Sequence, residues 1–177
     1  MPEISTLTGP GPVRRAPRGE GADTLVAVGR DPEISKWSGV HSDTVPPLEM
    51  DWATSWLRQI QQGYAWVIAR DGALIGTISL HDVWLNEGRA GMAIGLQSPP
   101  DMGWGCEALG LLLEHAFETL ALHRIAIQVM ATTARAIRCY EACGLVDGHE
   151  REAALTAKGR VDDLNMDLPA TEWRAAA

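Results

Sequence analysis

The chain has 177 residues, 46% of them hydrophobic and 21% charged, and a formal net charge of −8. This balance fits one globular domain with a sizeable core and excludes fibrous, disordered and disulfide-framework classes; the negative charge disfavours nucleic acid, whose phosphates need a basic stripe, and suits a cationic partner such as an amine. No run approaches 18 apolar residues and the first residues carry no apolar leader segment, so no membrane span is expected and the chain is placed in the cytoplasm.

The first expected element is a short strand at Val13 to Ala16, followed by a helix from about Gly21 to Gly29. Asp31-Pro32-Glu33 reads as a second helix start, with Asp31 as N-cap and Pro32 at the first helical position. After the Pro46-Pro47 loop, Met50, Trp52, Ala53, Trp56, Leu57 and Ile60 recur at helical spacing over Glu49 to Gln62, and Gly63 ends the run. Three strands follow at Tyr64 to Ala69, Leu74 to Val83 and Arg89 to Leu96, joined by the turn signals Asp71-Gly72 and Asn86-Glu87-Gly88 into an antiparallel meander. Gly91 and Gly95 inside the third strand predict a bulge or the close approach of another backbone.

Gly103-Trp104-Gly105-Cys106 then runs directly into a helix. Leu109, Leu112, Leu113, Ala116, Phe117 and Leu120 mark one face of it, with Glu107, Glu114 and Glu118 on the other. A helix starting near Gly105 offers unpaired N–H groups and a partial positive charge, and the glycines let a phosphate approach the main chain. By itself the motif is also what an ordinary glycine loop looks like. A dinucleotide fingerprint fits worse, because a loop, Gln97 to Asp101, precedes the glycines instead of a strand. A strand at Arg124 to Met130, a helix at Ala134 to Cys143 stopped by Gly144, and strands at Leu145 to Glu152 and Val161 to Leu168 complete the pattern. Residues 169–177 read as a tail. The order describes an α/β domain with one mixed sheet and helices packed on it.

Cys106, Cys139 and Cys143 are an odd number of cysteines, and reduced thiols are expected. His41, His81, His115, His123 and His149 do not cluster with them at ligand spacing, so no metal site is expected. Seven tryptophans stand against one phenylalanine, several in expected loops or surface helices, and self-association into a homodimer through them or through a sheet edge is left open.

The element order, with Gly76-Thr77-Ile78-Ser79-Leu80, the Gly103 to Leu113 loop and helix, and Leu122-His123-Arg124 through Arg135-Ala136-Ile137-Arg138-Cys139-Tyr140-Glu141-Ala142-Cys143-Gly144-Leu145, resembles the GNAT family of acyl-CoA-dependent N-acyltransferases. The branch most like it holds the ribosomal-protein serine and alanine N-terminal acetyltransferases. The resemblance spans about residues 7–168, as a single domain. It implies an enzyme that uses acetyl-CoA to acetylate a primary amine, either a protein or peptide N-terminus or a small-molecule amine, in a ternary complex. It implies that the third meander strand splays from its neighbour, that pantetheine adds along Ile94, Gly95 and Leu96, and that the pyrophosphate lies on the N–H groups of Met102, Gly103, Trp104, Gly105 and Cys106. Thr133 and Arg135, at the start of the second of these helices, are also assigned to the cofactor. Tyr140 matches the family's acid for the departing thiolate.

Three positions depart from the family pattern. Pro100 stands where an arginine or glutamine opens the phosphate motif, and Thr133 where an asparagine is common, although threonine can cap a helix. Ala93 stands where many relatives carry a glutamate base. His81, with Asp82 beside it at the end of the second meander strand, and Glu87 in the next turn are the substitutes for that base; a solvated surface histidine is the plainer reading of His81. Glu114 and His115 are expected to be exposed or capping residues, and the cysteines to be buried small residues without a nucleophilic role. Two rival readings remain: an acyl-CoA-binding module with little or no turnover, suggested by Pro100 and Ala93, and a donor such as succinyl-CoA, with Arg89 as its cation.

Overall fold

The computed structural model describes residues 13–15, 50, 51, 53, 54, 64–70, 73–96, 103–156 and 159–176. The helices expected over 21–29 and from Asp31 lie outside these residues. Of the helix expected over 49–62, Met50, Asp51, Ala53 and Thr54 are described and helical, and Ala53 is buried.

Among the described residues, seven strands form one mixed sheet: β1 (Val13–Arg15), β2 (Tyr64–Arg70), β3 (Ala73–Trp84), β4 (Arg89–Leu96), β5 (Arg124–Met130), β6 (Val146–Thr156) and β7 (Gly159–Pro169). Their spatial order is β1-β2-β3-β4-β5-β7-β6. The helices are α1 (Trp104–Glu114), which continues as a π-helical turn over His115–Thr119, α2 (Ala134–Ala142) and α3 (Ala170–Ala176). The mixed α/β architecture matches the sequence reading.

The meander follows from alternation. In β3, Ile78 and Leu80 are buried while Thr77 and Ser79 are half-exposed, and the register sets Ile78 opposite Ile94 and Leu80 opposite Met92. One face of β3 and β4 therefore joins the core. Ala65 to Ile68 of β2 are all buried, as in a strand covered on both faces. The expected bulge lies not in β4 but in its partner, between His81 and Trp84 of β3.

β5 runs parallel to β4, so the connection has to cross over, and α1 supplies the crossover. Ala108, Leu109, Leu112 and Leu113 of α1, then Ala116 and Phe117, pack on Ile78, Leu80, Met92 and Ile125 in the core. α2 ends where expected: Gly144 takes φ 91°, and Leu145 N–H donates to the Tyr140 carbonyl at 3.0 Å. No described helix is long and apolar enough to cross a membrane.

The segment after Leu168 is not the plain tail read from sequence. Ala170 to Ala176 form α3, Ala170 is buried, and the Trp173 ring lies 5.4 Å from Phe117. So short a helix is stable through tertiary contact, which a local pattern of one aromatic among small and polar residues does not reveal.

Candidate functional site

β4 and β5 pair only at Arg89 with Arg124, Ala90 with Ile125 and Gly91 with Ala126. Past Gly91 the strands part, while β4 stays in register with β3 as far as Gly76 opposite Leu96. Ile94, Gly95 and Leu96 thus hold one edge against β3 and, among the described residues, have no strand on the other. A backbone edge in that state is open to further hydrogen bonding.

This edge leads to the first turn of α1. Gly103, the N-cap, takes a left-handed φ of 72°, where a side chain would be strained, and supplies no capping group. The helical ladder begins with Glu107 N–H donating to the Gly103 carbonyl at 3.2 Å. The N–H groups of Gly103, Gly105 and Cys106 therefore have no carbonyl of the helix to bond and lie at its positive end. A Cβ on Gly105 would sit 3.1 Å from Leu96 Cδ1, so the missing side chain lets the end of β4 rest on the α1 turn. Trp104 is half-buried in the same turn. Met102 and Pro100 lie outside the described residues.

α2 closes the other side. Thr133 is its N-cap residue and is 9% exposed, but it makes no side-chain capping bond, and its Oγ1 is buried without a hydrogen-bond partner. The capping role expected for it is corrected: with φ −93° and ψ 57° the residue leaves its hydroxyl for another group. Arg135 follows on the exposed face. Tyr140 is buried, and loss of hydration pushes its hydroxyl up to about 12, so it holds its proton throughout the neutral range.

The cysteines depart from expectation. Cys106 in the first turn of α1 and Cys139 on α2 are paired as a disulfide, with their Cα atoms 5.4 Å apart. Cys143 is the unpaired cysteine, with its thiol 3.7 Å from the Cys106 carbonyl and pushed up by burial. The four-residue spacing of Cys139 and Cys143 within α2 carries no sign of a partner on α1. The pairing arises because α2 packs on the α1 turn beside Gly105.

His81 and Glu87 sit at the end of the β3–β4 hairpin nearest the point where β4 leaves β5. His81 Nδ1 lies 2.9 Å from Asp82 Oδ2. Glu87 is instead engaged by Arg89, whose Nε donates to it at 2.5 Å and whose guanidinium lies 4.6 Å from the centre of the exposed Trp84 ring. Glu114 is exposed, but His115, expected beside it at the surface, is buried with its ring edge-on to Trp66 at 5.4 Å. Burial lowers its affinity for a proton. His115 falls seven residues after buried Ala108 and three after buried Leu112, so helical spacing already sets it on the core face where the π-helical turn begins.

A GNAT acetyltransferase domain model matches residues 14–146. No curated protein matches the sequence. Solved structures do: a GNAT acetyltransferase from Bacillus anthracis has 13% identity and a TM-score of 0.82, over 95% of this chain and 100% of that one. The ribosomal-protein-S5-alanine acetyltransferase of Vibrio fischeri has 14% identity and a TM-score of 0.81, over 96% and 98%. The spermidine N-acetyltransferase of Vibrio cholerae, solved with CoA and spermine, has 19% identity and a TM-score of 0.79, over 94% and 99%. These likenesses share the fold described above, and with the match over residues 14–146 the chain belongs to the GNAT acetyltransferase family.

Proposed function

We propose that the protein transfers an acetyl group from acetyl-CoA to a primary amine by direct attack in a ternary complex. The observation that carries this reading is the approach of the Ile94 to Leu96 edge, which has no second strand among the described residues, to the helix-start amides of Gly103, Gly105 and Cys106. A ligand with a peptide-like arm and a pyrophosphate, as CoA has, matches both: its amides pair with the strand edge, and its phosphates take the helix-start N–H groups. The orphaned hydroxyl of Thr133 offers a further hydrogen bond, and the exposed Arg135 a cation.

The chemistry asks for a neutral nitrogen, a donor for the oxyanion and an acid for the thiolate. The Ile94 N–H is the oxyanion donor in this arrangement, and the protonated Tyr140 is the acid. An α-amino group with a pKa near 8 is neutral in roughly one molecule in ten at pH 7, against roughly one in a few thousand for a lysine, so an N-terminal amine asks less of the enzyme. The V. fischeri and V. cholerae structures come from enzymes named for a protein alanine and for spermidine, and the acceptor proposed here is of one of those kinds. Arg89, the cation a succinyl donor would need, is engaged by Glu87 and by the Trp84 ring.

The test is thiol release from acetyl-CoA against peptides with Ser, Ala or Met at the N-terminus, polyamines and aminoglycosides, with calorimetric titration of CoA alongside. Turnover with one class supports the reading and names the acceptor. Tight CoA binding without turnover would favour a binding module, and absence of CoA binding would overturn the cofactor assignment.

A further inference from the structure

Ala93 presents only a methyl group at the wedge, so the proton of the acceptor amine needs another destination. Register supplies a candidate. Ser79 lies opposite Ala93 and His81 opposite Gly91, so His81, Gly91 and Ala93 share the face of the sheet away from buried Leu80 and Met92. Gly91 is also the last β4 residue paired with β5. His81 therefore stands at the closed end of the wedge, about 7 Å along the strand from Ala93.

Two features place its ring there, the Gly91 surface and the Asp82 bulge. The ring lies directly on Gly91: a Cβ at that position would fall 2.8 Å from both ring nitrogens and still closer to Cε1. Asp82, adjacent in sequence, takes φ 47°, a left-handed conformation that is uncommon outside glycine, inside the bulge between His81 and Trp84. The bulge turns the Asp82 carboxylate back to His81 Nδ1 at 2.9 Å. In the tautomer that donates from Nδ1 to this carboxylate, Nε2 is the nitrogen with the lone pair. The other acid of the hairpin, Glu87, is held by Arg89.

We propose that His81 is the general base of the transferase, oriented by Asp82 and seated on Gly91, and that this dyad does the work of the carboxylate missing at Ala93. The proposal rests on the acetyl-transfer reading. Nε2 takes one proton from the acceptor ammonium, directly or through a water. The freed nitrogen pair forms the C–N bond, the C–S bond breaks with its electrons on sulfur, Tyr140 protonates the thiolate, and the second nitrogen proton restores Tyr140. The sum is one amide, one CoA thiol and one proton, which leaves from His81. His81 is a catalytic residue in this scheme; Asp82 and Gly91 are positioning residues.

The test measures kcat and KM across pH for His81→Gln, Asp82→Asn, Gly91→Ala and the His81→Gln/Asp82→Asn pair, using the best acceptor of the wild-type protein and, separately, hydroxylamine, which is already neutral at the assay pH. Asparagine tolerates the left-handed backbone, so Asp82→Asn changes the carboxylate and not the turn. Expected for His81→Gln is a loss of roughly 100-fold or more in kcat with the protonated amine. The KM for acetyl-CoA stays unchanged, the acid limb of the pH profile disappears, and hydroxylamine turns over nearly as fast as with wild type. Asp82→Asn and Gly91→Ala give losses of about tenfold, and the double variant is no slower than His81→Gln alone. If an active wild-type enzyme loses nothing in His81→Gln, or loses hydroxylamine turnover equally, the dyad is overturned while the transferase reading stands. A wild-type protein inert with every amine overturns the transferase reading and the dyad with it.

Discussion

Gly76→Ala tests whether the open edge of β4 is as closely set as the structure has it. Gly76 faces the end of that edge across the β3–β4 ladder, and an added Cβ would lie 2.9 Å from Leu96 Cδ2, 3.1 Å from Leu96 Cα and closer still to the Gly95 carbonyl oxygen. Two of these three atoms are backbone, which cannot swing aside, so β4 must retreat by about 1 Å to reach ordinary contact. Overpacking of this kind costs about 1–3 kcal/mol. For a chain of this size that lowers Tm by about 2–12 °C. The retreat displaces the Ile94 to Leu96 edge itself, and a misplacement of about 1 Å near the reacting groups costs on the order of 100-fold in turnover. The control is Gly110→Ala in α1, where a Cβ meets nothing within 4 Å; removing a helix-interior glycine stabilises by about 1 kcal/mol and should raise Tm. Calorimetric melting, CoA titration and the thiol-release assay on both variants provide the check. A Gly76→Ala protein that melts, binds CoA and turns over like wild type would refute the close setting of β3 on β4.

Tyr140→Phe should lower kcat by roughly 100-fold or more while CoA binding persists, because it removes a proton donor and keeps the ring. The same residue fixes an alkaline limit on stability. Its folded pKa of about 12 lies above the unfolded value of 10.0, so its contribution is intact below pH 10 and is lost as pH rises toward 12, about 3 kcal/mol in all. Denaturant melts across that window should show the alkaline loss in wild type and not in Tyr140→Phe. His115 acts with the opposite sign: burial lowers its pKa below 6.5, the unfolded chain binds the extra proton, and stability falls as pH drops below 6.5. That acid-side loss should shrink in His115→Phe. Closing the loop between Cys106 and Cys139, 33 residues apart in sequence, stabilises by about 3–4 kcal/mol on chain-entropy grounds, so reduction should lower Tm. Thiol titration of the unreduced, denatured protein should find one free cysteine, Cys143; three would contradict the pairing.

The parts of this fold that were legible in the sequence are those governed by local pattern. The period-2 runs of β3 and β4, the helical stripe from Leu109 to Phe117 and the glycine stop at Gly144 appear where spacing and turn chemistry put them. What spacing could not supply depends on packing between distant segments. Trp173 carries no sign of its contact with Phe117, and Cys106 and Cys139 are paired only through the approach of α1 and α2. The site divides along the same line. Gly103 and Gly105 announce the amide cluster, because glycine before an amphipathic helix has a physical meaning on its own. Gly91 announced a close approach, but the approaching group is the His81 ring and not a backbone, and the bulge that turns Asp82 toward that ring belongs to the neighbouring strand. The residue type of Thr133 suits a cap, whereas with φ −93° and ψ 57° it makes no side-chain capping bond.

The most direct test of acetyl transfer to an amine is mass spectrometry of the reaction products, run with acetyl-CoA and the amines that release thiol. The expected result is an amide carrying one acetyl group on the primary nitrogen, formed mole for mole with free CoA. Thiol release with the amine recovered unchanged would contradict the account, since it would make the protein a thioester hydrolase.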